Sequence, residues 1–200
     1  LVALIRAAYD IVTGGWDAED VSAYLRTGLA GLTPEETDTL ENYVLLWSLR
    51  GGAWTRPEPW RQHPDGYGAP DTDEAAARLA EINDLRRRAA DPLRLLGAES
   101  HAAATAEAQA MALADFLERL QLAQRLDTLA EDLRREGRGA LAAEYAQLWE
   151  LTVGALEQFA AILGGTQMDA DTFATLFLRM LSCYDIGTIP VALDRVTAGD

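Results

Sequence analysis

Outside residues 50–71 the apolar residues up to residue 182 recur at steps of three and four, and that period confines the chain to helices packed through buried faces. Leu4, Ile5, Ala8, Ile11 and Val12 share one face over residues 2–13, and Gly14-Gly15 closes the run. Asp17 is placed to cap the next helix, with Asp20 three residues on and Trp16 positioned to staple onto Val21; this helix stops near Gly28. Thr33-Pro34-Glu35-Glu36 is the strongest local start signal. Threonine caps, proline fits the first turn, and Glu36 closes a capping box beside the positive end of the helix dipole. The helix it opens runs through Leu40, Tyr43, Val44, Leu46 and Trp47 to about Leu49, and apolar residues on most of its sides predict that it is largely buried.

A fourth helix starts at Asp71 or Thr72, with Glu74 completing a second capping box. It carries Leu79, Ile82, Leu85 and Ala89, and Pro92 should kink or end it ahead of Leu93. Past Gly97, Ser100 opens an alanine-rich helix with Leu113, Phe116, Leu117 and Leu120. The stripe then changes phase to Leu122, Leu126, Leu129 and Leu133, which predicts a break near residues 121–124. After a turn at Gly137 and Gly139, residues 140–163 form the longest clean helix, with two adjacent apolar faces that predict a central position. Asp169 or Asp171 caps a final helix carrying Phe173, Leu176, Phe177, Met180 and Leu181. The expected fold is all-α: an irregular bundle of about eight helices, one domain over 1–200, with a short extended C-terminal exit segment.

That exit is the run from Cys183 to Asp200, where Gly187, Pro190 and Gly199 punctuate the sequence and Val196-Thr197 is β-branched. It reads as a passage from a helical domain towards a strand, so the chain is expected to be a piece of something larger. Cys183 is the single cysteine, which excludes an internal disulfide framework and a multi-cysteine zinc site. Its place just past an apolar stripe favours a buried thiol over a reactive one. No apolar run approaches the roughly 20 residues that span a bilayer, and the expected location is cytoplasmic.

Charge limits the partners. The formal net charge is -15, and nucleic-acid binding is driven largely by cations that release phosphate counterions, so any DNA contact must be local. All 17 basic residues are arginine, a bias that GC-rich coding explains as readily as function. Residues 50–71 break the helical pattern, and Arg50, Trp54, Arg56, Trp60 and Arg61 lie there among glycines and prolines. Arginine beside tryptophan offers a cation for phosphate and a ring face for bases, making these five the DNA-contact candidates. The alternative is that both tryptophans anchor a long loop to the helices. The basic run Arg86-Arg87-Arg88 spreads over about 200° of a helix and reads as a solvated or carboxylate-paired face.

Catalytic chemistry is missing from the pattern. His63 and His101 are the two histidines, and no Glu-x-x-His pair, zinc-protease, Walker-type or dinucleotide glycine motif is present. Glu35, Glu36, Asp38 and Glu41 cluster at a helix start, where dipole complementation explains them. No catalytic residue and no metal ligand is assigned.

Several blocks carry a family resemblance. Gly187-Thr188-Ile189-Pro190-Val191-Ala192-Leu193-Asp194-Arg195-Val196-Thr197-Ala198-Gly199-Asp200 resembles a segment of the AddB subunit of bacterial AddAB-type ATP-dependent helicase–nucleases. Val191 and Arg195 depart from the family's proline and glutamine there. Tyr24 to Leu32, Leu40-Glu41-Asn42-Tyr43-Val44 with Arg50-Gly51 and Trp54, and Ile82-Asn83-x-x-Arg86 ahead of Pro92-Leu93 fit the same family in the same order. The resemblance implies a helical accessory region inserted in a helicase-like core, within a subunit that acts in double-strand DNA break repair. It implies an A subunit and DNA as partners of the complex, ATP used by that complex, and Mg2+ and a 4Fe-4S cluster in the full-length subunit. None of those sites falls in this chain. The expected role is non-catalytic, lining the DNA path or the subunit interface. The alternative is a helical protein-interaction scaffold without nucleic-acid contact.

Overall fold

The computed structural model describes residues 1–183, and among them nine helices and no strand form. These are α1 (Val2–Gly14), α2 (Ala18–Leu25), α3 (Pro34–Leu46), α4 (Gly52–Thr55), α5 (Asp73–Ala102), α6 (Ala106–Arg119), α7 (Leu122–Arg135), α8 (Gly139–Leu163) and α9 (Ala170–Ser182). α1 packs on α2, α5 and α9; α6 lies against α5 and α8; α7 and α8 pair as a hairpin. One continuous apolar core runs from Leu4 and Ile5 through Leu85, Leu96 and Phe116 to Phe173 and Phe177. The all-α bundle is as the periodicity predicts.

Caps explain several starts. Thr33 and Glu36 form the full capping box, with the Thr33 hydroxyl accepting from the Glu36 N–H at 3.2 Å and the Glu36 carboxylate accepting from the Thr33 N–H at 2.8 Å. Asp169 caps α9 by accepting from the Thr172 N–H at 2.9 Å. The phase change at 121–124 is a real break: Gln121 takes the left-handed conformation at φ 52° between α6 and α7. Asp17 stands at the start of α2 without a capping hydrogen bond, and Trp16 turns its ring onto Trp54.

Several expectations are corrected. α5 runs 30 residues through Pro92 and past Ser100. Proline removes a helical hydrogen bond at about 3 kcal/mol, but Leu93 and Leu96, at 1% and 0% exposure, extend the buried face of Ile82, Leu85 and Ala89. Burying two leucines stabilises by about 1.5–3 kcal/mol each, so packing outweighs the local defect. The next start is Thr105, whose hydroxyl accepts from the Ala108 N–H at 3.3 Å; at α5, Thr72 caps alone because Glu74 falls one position early for a box. α3 is buried on one side only, leaving Leu45 and Leu46 at 70% and 50% exposure. α8 packs on α6, α7 and α9, but the face expected to be apolar and covered is not covered throughout, with Ile162 at 68% exposure. Cys183 is exposed rather than buried. The predicted exit segment, with Gly187, Pro190 and Gly199, lies outside the described residues.

Candidate nucleic-acid interface

The irregular stretch between α3 and α5 is braced from beneath. Gly51 turns the chain at φ 57°, ψ -132°, a conformation that a side chain would disfavour, and its N–H donates to the Trp16 carbonyl at 3.0 Å. One turn of helix, α4, then carries Trp54 inward. Trp54 is 2% exposed and stacks on Trp16 at 6.3 Å between centroids, with Trp60 edge-on at 5.1 Å. Trp60 is 4% exposed, stacks on Tyr43 at 5.5 Å, and donates its indole N–H to the Ala53 carbonyl at 2.9 Å. Burial pushes the Tyr43 hydroxyl up to about 12.

Two residues of α5 complete the brace. Asn83 accepts from the Trp60 N–H at 2.8 Å and donates to the Trp60 carbonyl at 3.0 Å, replacing the partners that a sheet or helix would supply. Arg86 lies 4.9 Å above the Trp60 ring and is 6% exposed. Its guanidinium donates to the carbonyls of Trp54, at 3.3 and 3.1 Å, of Glu58, at 2.9 Å, and of Arg56. Burial, then the neighbouring Arg56 charge, lowers its pKa from the ordinary arginine value. Beyond Trp60, the Tyr43 hydroxyl donates to the Gln62 carbonyl at 2.8 Å and the Trp47 indole to the His63 carbonyl at 3.0 Å. Arg78 pairs with Asp65.

The five sequence candidates therefore divide. Trp54 and Trp60 are core anchors, and neither presents a ring face to a base. Arg50, Arg56 and Arg61 are exposed, and none has an ion pair with another described residue. The run Arg86-Arg87-Arg88 divides too. Arg86 is buried, Arg87 pairs with Asp84 at 2.9 Å, and Arg88 donates to Glu36 and to the Gly31 carbonyl. The Arg88 hydrogen bond and the Thr33 N–H hold the Glu36 carboxyl below the usual carboxylate range. Sequence periodicity missed Asn83 and Arg86 as braces; the block Ile82-Asn83-x-x-Arg86 was the signal available. Arginines and acids number eight each between residues 50 and 94, against nine arginines and twenty-four acids in the rest of the chain.

A second feature is an apolar groove between α2 and α3, lined by Val21, Leu25, Val44 and Leu45. Glu41 closes its end, accepting from Ser22 and from Arg26 at 3.1 Å. Among the described residues no helix is long and apolar enough to cross a membrane, and no three His, Cys, Asp or Glu side chains are grouped to hold a metal ion.

No protein-family model matches the chain. Curated relatives match it from end to end. One from Clostridium botulinum (strain Loch Maree / Type A3) is 34% identical over 200 residues, covering 100% of this chain and 17% of the relative. One from Desulforudis audaxviator is 34% identical over 209 residues, 18% of the relative, and one from Acetivibrio thermocellus is 32% identical over 200 residues, again 18%. All three are named as the B subunit of an ATP-dependent helicase/deoxyribonuclease. The chain thus spans only 17–18% of the length of these relatives. A 4Fe-4S cluster takes four cysteine thiolates; with one cysteine, these residues do not fit it.

Proposed function

We propose that this chain, whose curated homologues are ATP-dependent helicase/deoxyribonuclease B subunits (AddB), is one helical domain of such a subunit, without chemistry of its own, that lines the DNA path of the complex. The observation that carries this reading is the set of unpaired arginines on a braced segment. Arg50, Arg56 and Arg61 stand on a backbone held by Asn83, Arg86 and four aromatic rings, with no carboxylate to satisfy them. Cations fixed in place lose little freedom when phosphate arrives. The -15 charge repels DNA from the remaining surface and confines contact to this side. The A subunit, DNA, ATP, Mg2+ and the cluster belong to the whole complex, working in the cytoplasm in break repair.

The test is anisotropy of a labelled single-stranded oligonucleotide with the purified chain at low salt. Binding is expected, and the R50Q/R56Q/R61Q variant should remove most of it and flatten the salt dependence by about 0.7 per lost phosphate contact. No affinity in the unaltered chain at low salt overturns direct contact.

A specific observation favours the scaffold reading as the alternative: Leu45, which lines the α2–α3 groove, is 70% exposed, and Leu46, the next residue, is 50% exposed. It predicts association with the A subunit that Leu45→Glu weakens, with the arginine variants indifferent.

A further inference from the structure

We propose that the cleft between segment 54–59 and α5 is a site for the phosphodiester backbone of a single strand, with Arg86 at its floor and Arg56, Arg87 and Arg94 on its walls; this deepens the DNA-path reading and rests on it. The cleft holds about 350 Å³, room for about a dozen waters or a hydrated phosphodiester. Four arginines and one acid, Asp91, line it in a chain of net charge -15.

The floor is the decisive feature. A guanidinium has five N–H donors. Arg86 directs four hydrogen bonds to three carbonyls, which leaves one Nη1 hydrogen without a partner. No carboxylate is within ion-pair distance of it, although it is buried; Arg56 and Arg94 add like charge nearby, which Asp91 and Glu58 partly offset. A desolvated cation without a directly bonded counterion is unfavourable, and a bound anion relieves it. On the walls, Arg94 pairs with Asp91 and Arg87 with Asp84, each at 2.9 Å. Both pairs are exposed and three residues apart on one helix, and such pairs hold weakly. A phosphate offers each guanidinium fork two oxygens in matching geometry.

The layout suits a polyanion rather than one ion. Arg56 and Pro59 also line a second depression, together with Arg61 and one acid, Glu58. Arginines therefore continue from Arg94 and Arg87 through the shared Arg56 to Arg61, a track that successive phosphates would follow and a lone phosphate would not.

The experiment measures affinity and salt slope of the chain for a labelled single-stranded oligonucleotide, with R87Q and R94Q as exposed, fold-preserving variants and R134Q as a remote control. R87Q and R94Q are each expected to weaken binding about fivefold and to reduce the slope by about 0.7, equally for all sequences. R134Q should bind like the parent, and a methylphosphonate strand of the same sequence should not bind. Inorganic phosphate at matched ionic strength should displace no more strand than chloride does; specific displacement would make the site one for free phosphate and overturn the proposal. If R87Q and R94Q bind normally while R50Q/R61Q does not, the cleft is overturned and the DNA-path reading stands. If the parent binds no strand, both fall.

Discussion

The rings around Trp60 and the rings around Phe173 are packed at similar distances and held by different means. Phe173 meets Phe159 at 5.1 Å, Phe177 at 5.5 Å and Tyr9 at 5.9 Å, a cluster built from the facing sides of three regular helices. Its backbone is already satisfied, so dispersion and burial suffice. Around Trp60 the backbone is irregular, and its carbonyls and N–H groups need partners. There Asn83, Arg86 and the indole and phenol groups supply hydrogen bonds as well as bulk. An apolar cluster can fasten helix to helix; fixing a segment with no repeat of its own takes polar side chains that reach individual backbone atoms.

Four substitutions probe that contrast. Phe173→Ala should have the largest effect, about 3–5 kcal/mol in chemical denaturation, because a fully buried ring leaves a cavity. A loss as small as that of an exposed residue would mean that the Phe cluster closes up and is the softer of the two. Arg86→Met should lose about 2–3 kcal/mol and blunt the near-ultraviolet signal of the tryptophans. Arg86→Lys should recover little, since an ammonium cannot fork between carbonyls. A neutral Arg86→Met would show that the rings alone brace the segment. Thr33→Ala should lose about 1 kcal/mol by removing the cap of α3.

Glu36→Gln should have the smallest effect and the clearest pH signature. The folded-state pKa of Glu36 is depressed, so its stabilisation is complete above the unfolded value of about 4.3 and is lost as pH falls through the lower folded value. The melting temperatures of parent and variant should therefore differ at neutral pH and converge in acid. A gap that widened in acid would contradict the Glu36–Arg88 tie between α3 and α5.

Legibility in the sequence followed the same divide. α1, the Thr33 box, the break at Gln121 and the Asp169 cap all leave local marks, because each depends on residues within a turn of one another. The Phe173 cluster is readable as a stripe. Pro92 misleads because the force that keeps α5 intact, burial of Leu93 and Leu96, comes from other helices. Likewise α8 shows two apolar faces, and which helices cover them, here α6, α7 and α9, is not encoded in periodicity. Within the site, composition located Arg50, Arg56 and Arg61. It could not say which way Trp54 and Trp60 turn, because that is decided by Asn83 and Arg86 some twenty to thirty residues downstream.

Thirty residues of helix make α5 about 45 Å long, enough to reach from the arginine cleft to Ser100 beneath α1. Pro92 stands between Arg86 and Ser100 and withholds from the Arg88 carbonyl the N–H that every neighbouring turn provides. The proposed cleft has Arg86 and Arg87 before that gap and Arg94 after it, so a strand seated there would lie across the one turn of α5 that is short of a hydrogen bond, as a brace lies across a joint.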